Sequence, residues 1–104
     1  MIKRKKFDGV IETVHYTPYG KIAWVRAYER KGFVFTDWLK LDRESLIERL
    51  KNRKRFYVGQ RKPLLGNEFD LAAAVQLEGE DGSEIIFAGE AKAGQDYLEG
   101  APIY

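Results

Sequence analysis

The chain has 104 residues, 44% hydrophobic and 13% aromatic, enough to build one domain with a real core and no covalent staples. The absence of Cys excludes disulfides and thiolate chemistry and points to a reducing, cytoplasmic setting. The net charge of +2 conceals a split: residues 1–62 carry 17 Lys/Arg against 7 Asp/Glu, a net +10, while residues 63–104 carry one Lys (Lys92) against 9 Asp/Glu, a net −8. That asymmetry predicts either an anionic partner for the first part or an internal match between the two parts.

The chain opens on a basic run, Lys3-Arg4-Lys5-Lys6, with no apolar stretch behind it of the kind a signal peptide needs. No apolar run approaches the roughly 18 residues of a membrane helix. Phe7 to Tyr16 then holds the strand formers Val10, Ile11, Thr13, Val14 and Tyr16, with Gly9 predicting a bulge or sharp bend. Thr17-Pro18-Tyr19-Gly20 is turn chemistry.

Lys21 to Leu41 is the most informative stretch. Arg30-Lys31-Gly32 separates two strand-like runs, a hairpin signal. In the first run Ala23, Val25 and Ala27 alternate with Trp24, Arg26 and Tyr28. In the second, Phe35, Leu39 and Leu41 alternate with Thr36, Trp38 and Lys40. Strand side chains repeat every two residues, so each set is predicted to share a face. One face is aliphatic, and the other carries two Trp, a Tyr, an Arg and a Lys. Arg26 and Lys40 argue that this second face is the open one, because an unpaired buried cation is costly.

Asp42 is a good N-cap for a helix over Arg43–Asn52, with Leu46, Ile47 and Leu50 on one stripe. The densest basic cluster, Lys51 to Arg55, ends that helix, where cations also complement the macrodipole. A fourth strand spans Arg55–Lys62. Residues 63–67 form a loop containing Leu64 and Leu65. A fifth strand spans Phe69–Glu78, with Phe69, Leu71, Ala73, Val75 and Leu77 in one parity. Gly79 to Gly82 is a turn, Glu84–Ala88 a sixth strand, and residues 89–104 a tail or short helix.

Three strands, one helix, then further strands resembles the order of the OB-fold, in which the helix plugs one end of a small Greek-key barrel. The resemblance covers roughly residues 5–78. It implies a mainly β domain with one helix, an OB-like five- to six-stranded barrel of order β-β-β-α-β-β-β over about 5–88, in a single domain 1–104. An SH3-like barrel with an inserted helix and an open α+β sheet remain alternatives. The aromatic motifs of cold-shock domains are absent. The resemblance also implies binding of single-stranded nucleic acid on strands two and three, which hold Trp24, Arg26, Tyr28, Trp38 and Lys40; Arg53, Lys54 and Arg55 would extend the phosphate track.

Other chemistry finds little support. His15 is the only histidine and no metal-ligand spacing surrounds it, so no metal or cofactor is expected. Glu78, Glu80, Asp81 and Glu84 read as solvated turn charges, and no nucleophile–base pair suggests an enzyme. The expectation is a non-catalytic binding module for single-stranded nucleic acid. The alternative is a protein-interaction or homodimerisation module using the aromatic face and the Leu64–Leu65 loop.

Overall fold

A computed structural model describes residues 7–32, 34–62, 69–90 and 94–103. The basic run 3–6, Phe33 and the Leu64–Leu65 loop lie outside the described residues. The protein is mainly β with one helix. Among the described residues there are eight strands, β1 (Gly9–Tyr16), β2 (Ile22–Lys31), β3 (Val34–Phe35), β4 (Leu39–Asp42), β5 (Phe56–Arg61), β6 (Phe69–Glu78), β7 (Ile85–Ala88) and β8 (Tyr97–Leu98), and one helix, α1 (Arg43–Lys51). The helix lies between β4 and β5, where the pattern placed it. The sheet runs β3-β2-β1-β5-β6-β7-β8, with β4 also on β2. Among the described residues it does not close, so barrel closure is not seen and the sheet is open.

The main core lies on one face of this sheet, beneath α1. It joins Ile11, Val14, Val25, Ala27, Leu41, Leu46, Phe56, Val58, Val75 and Ile86. The alternation in β2 holds from Trp24 onward, with Val25 and Ala27 buried on the core face and Trp24 and Arg26 opposite, but an irregularity at Ala23 takes that residue out of the set and puts Ile22 in the core instead. In α1, Leu46 is fully buried and Ile47 and Leu50 pack beside it. Asp42 caps the helix as expected. Its carboxylate accepts the Ser45 N–H at 2.8 Å, and that bond draws the carboxyl below its ordinary range.

Gly9 is not a bulge. It sits opposite Phe56 across the parallel β1–β5 pair, and a Cβ there would overlap the Phe56 ring. Glycine is needed because the core's largest buried side chain fills the space over the backbone.

Two one-residue irregularities redistribute the aromatic residues. Arg30 pairs with Phe35 and Ala27 with Leu39, so two residues of β2 face three between them, Thr36, Asp37 and Trp38. The expected third strand is thereby broken into β3 and β4, and Phe35 turns to the face opposite Leu39 and Leu41. Similarly Tyr57 pairs with Ala74 and Gly59 with Leu71, which places Ala72 and Ala73 against Val58 alone. Phe69 therefore leaves the face of Val75 and Leu77. A bulge shifts every side chain beyond it to the other face. Phe35 and Phe69 instead meet at 4.8 Å between centroids in a second aromatic cluster with Phe7, Tyr57 and Tyr28. Arg30 stacks over Phe35 and Arg61 over Tyr28.

The C-terminal segment is structural rather than a loose tail. β8 adds in parallel to β7, and Val14 and Ile103 form a single parallel bridge. The Leu98 N–H bonds the Tyr16 hydroxyl at 2.9 Å. Asp96, 2% exposed, is the anchor. One carboxylate oxygen accepts from the Ile22 N–H at 2.7 Å and Arg43 Nε at 2.8 Å. The other accepts from the Ile86 N–H at 2.9 Å and Arg43 Nη2 at 3.3 Å. The Asp96 N–H donates to the Gly20 carbonyl at 2.8 Å.

The charge split is partly resolved within the molecule. Arg43–Asp96, Lys51–Asp81, Lys51–Glu84 and Lys62–Asp70 all join the basic part to the acidic part. The acidic turn therefore serves as a latch for the helix end. The hydrogen bond from Lys51 and those from backbone N–H groups, including that of Gly82, hold the Glu84 carboxyl down at about 2.

Two predictions follow from these anchors. Asp96→Ala should lose about 3–5 kcal/mol in urea unfolding, the range for breaking a buried pair, whereas exposed Glu78→Ala should stay within about 0.5 kcal/mol; comparable losses would rule out the anchor role. A carboxyl with a depressed folded pKa stabilises above its unfolded value and loses that stabilisation as pH falls through the folded value. The stability difference between wild type and Glu84→Gln should thus be constant above the ordinary carboxyl range and vanish on acidification towards about pH 2; a pH-independent difference would contradict it.

Candidate functional site

The core-distal face of β1, β2 and β4 gathers four of the residues expected there. Register sets them in two rows. His15 pairs with Trp24, which faces Asp42 on β4; Thr13 pairs with Arg26, which faces Lys40. Side chains opposite one another across such pairs are within contact range. His15 and Trp24 stack with ring centroids 5.1 Å apart and planes 16° apart. Lys40 Nζ lies 4.7 Å from the Trp24 ring centroid, and the Arg26 guanidinium lies 4.2 Å from that of Trp38. The result is an interleaved group of rings and cations. At exposed sites each such contact contributes on the order of 0.5–1 kcal/mol.

The bulge before Leu39 does more than divide a strand. Trp38 is one of the extra residues it accommodates, and its side chain is 52% exposed. Trp24 is half-buried beneath His15 and Lys40. The open ring of this face is therefore Trp38, backed by Arg26, with the exposed Lys40 in the neighbouring position.

Tyr28 does not join them. It is 7% exposed, its ring lies under Arg61 and beside Phe69, and its hydroxyl donates to Glu12 at 2.8 Å. Burial, reinforced by the Glu12 bond, pushes that hydroxyl above the ordinary phenol range. A ring so enclosed offers no stacking surface, and Tyr28 belongs to the second aromatic cluster. Arg53, Lys54 and Arg55 are also elsewhere. They border a cleft beside Leu50, Val75 and Leu77, residues that pack with the core under the helix. The expected continuous track from Trp24 to Arg55 is not assembled on one face.

His15 is the residue of this site that sequence reasoning missed. Its stacking depends on the β1–β2 register, which irregularities at Glu12 and Ala23 displace from a simple count. Among the described residues, no group of three or more His, Asp or Glu side chains is placed to hold a metal ion. None of the described helices is long and apolar enough to cross a membrane.

No protein-family model, curated protein or solved structure matches this chain. The functional reading of this face rests on its own geometry. The difference between the two indoles is directly measurable: acrylamide should quench Trp38 (in Trp24→Phe) more steeply than Trp24 (in Trp38→Phe). Equal or reversed slopes would overturn the assignment of Trp38 as the open ring.

Proposed function

We propose that this protein binds single-stranded nucleic acid on the core-distal face of β1, β2 and β4. The observation that carries the reading is the exposed Trp38 ring backed by Arg26 at 4.2 Å, with Lys40 alongside. A base has a π-face that stacks on an open indole for about 1–3 kcal/mol, and neighbouring cations follow the phosphates. Trp38 is the stacking platform; Arg26 and Lys40 meet the backbone; Trp24, braced by His15, is the floor on which Lys40 rests. In this reading Tyr28 is a support, and Arg53–Arg55 do not take part.

A second reading is favoured by one observation. Val34 and Trp38 are exposed at 55% and 52% on or beside the short strands that border β2. Such an edge can pair with a second copy of the chain.

Titration with a mixed-sequence single-stranded oligonucleotide, followed by tryptophan fluorescence at low and moderate salt, separates the two. Saturable quenching that weakens with salt is expected, because cation–phosphate contacts release counterions. Trp38→Ala should weaken binding by roughly tenfold or more without loss of fold. An unresponsive spectrum together with a mass that rises with protein concentration would replace nucleic-acid binding with self-association.

A further inference from the structure

The three cations that leave the Trp38 face are themselves unusually placed. Within and at the start of α1, each cation is matched: Arg43 with Asp96, Arg49 with Glu29, and Lys51 with Asp81 and Glu84. Immediately after the helix the pattern stops. Among the described residues, Arg53, Lys54 and Arg55 take part in no ion pair, and all three are exposed.

Their backbone is held firmly. The Arg53 N–H donates to the Leu50 carbonyl at 3.1 Å and the Lys54 N–H to the Arg49 carbonyl at 3.0 Å. These two bonds form a Schellman motif with Arg53 at its left-handed position, φ +63°. Arg53 is the only non-glycine residue with positive φ among the described residues. Glycine is the usual occupant because it has no Cβ to clash. The Arg55 N–H is tied to the Asp8 carboxylate at 2.8 Å. Three cations thus project from a fixed backbone, one of them from a position where a side chain is unfavourable.

They border a cleft of about 510 Å³ whose other wall is apolar, formed by Leu50, Val75 and Leu77. That volume falls within the range of small-molecule sites. We infer that this cleft binds a small amphipathic anion, a carboxylate with an alkyl body, whose chain lies on Leu50, Val75 and Leu77 and whose head is met by Arg53, Lys54 and Arg55. Guanidinium groups bind carboxylates through paired, charge-assisted hydrogen bonds. The apolar wall discriminates against small hydrated anions, and the cations against neutral alkyl compounds. This site lies on the helix side of the sheet and is independent of nucleic-acid binding at Trp38.

Octanoate is the probe, with octanol supplying a chain without charge and acetate a charge without chain. In ¹H–¹⁵N NMR titrations of the full chain, octanoate should produce saturable shifts at Leu50, Arg53–Phe56 and Val75–Leu77. Octanol and acetate at equal concentration should produce much smaller ones. Arg53→Gly is the decisive variant. It should keep or raise Tm, since glycine suits the left-handed cap, yet weaken octanoate binding by about tenfold or more, the effect of losing a charged hydrogen bond. Trp38→Ala should leave octanoate binding unchanged. Equal responses to all three probes, shifts centred on Trp38, or undiminished binding by Arg53→Gly would each overturn the inference.

Discussion

A single buried carboxylate connects parts of the chain that secondary structure alone leaves separate. Asp96 accepts bonds from the first residue of β2, from β7 and from the first residue of α1. These partners lie 74, 10 and 53 residues away in sequence. A buried carboxylate is tolerable only if its oxygens are fully engaged, and here both receive two donors. Arg43 supplies the compensating charge and also donates to the Glu84 carbonyl, so the helix start is tied to the hairpin before β7. The interaction therefore specifies where α1, β2 and β7 meet. It also explains how a segment rich in Gly and Ala becomes ordered without a large apolar face of its own.

The same arrangement changes the meaning of the charge split. A +10 portion beside a −8 portion predicts either an anionic partner for the first or an internal match between the two. Part of the split is internal wiring, with Arg43, Lys51 and Lys62 matched to acids from the second part. The C-terminal segment hydrogen-bonds to Tyr16, Val14, Gly20 and Ala88. Its removal would take Asp96, and with it the bonds to Ile22, Ile86 and Arg43. Arg26 and Lys40 lie on the face of Trp38, whereas Arg53, Lys54 and Arg55 border the cleft beside Leu50, Val75 and Leu77.

Local chemistry was legible where it acts over a few residues. β6 runs over Phe69–Glu78 as its alternation indicates, and Asp42 caps a helix with Leu46 inward. Face assignments were less legible, because a period of two has no memory of an inserted residue. One extra residue near Trp38 and another near Ala73 sent Phe35 and Phe69 across the sheet, where they built a second aromatic cluster. Nothing in the residues flanking those points announces a bulge; the irregularity is set by the partner strands. The Asp96 anchor was illegible for a related reason, since its partners are distant in sequence. Arg43 was legible only as the start of a helix, and Asp96 only as part of the tail 89–104.

The candidate site shows both effects at once. Trp24, Arg26 and Lys40 share a face because the β2–β4 register is unbroken from Trp24 to Ala27. Trp38 remains beside them because the bulge that displaced Phe35 leaves its ring outside the sheet, stacked on Arg26. Tyr28 is lost to the site because it lies just where the second aromatic cluster begins, under Arg61. Arg53–Arg55 are separated by topology: α1 carries the chain across the core face before β5 starts, so residues that follow the helix emerge on the side opposite Trp24. Proximity to β4 in sequence therefore said little about proximity in space. A helix of nine residues between β4 and β5 is enough to divide one apparent basic track into two surfaces, one carrying the open Trp38 ring and one bordering a cleft with Leu50, Val75 and Leu77 in its wall. In the proposed reading, stacking bases would use the first kind of wall and an alkyl chain the second.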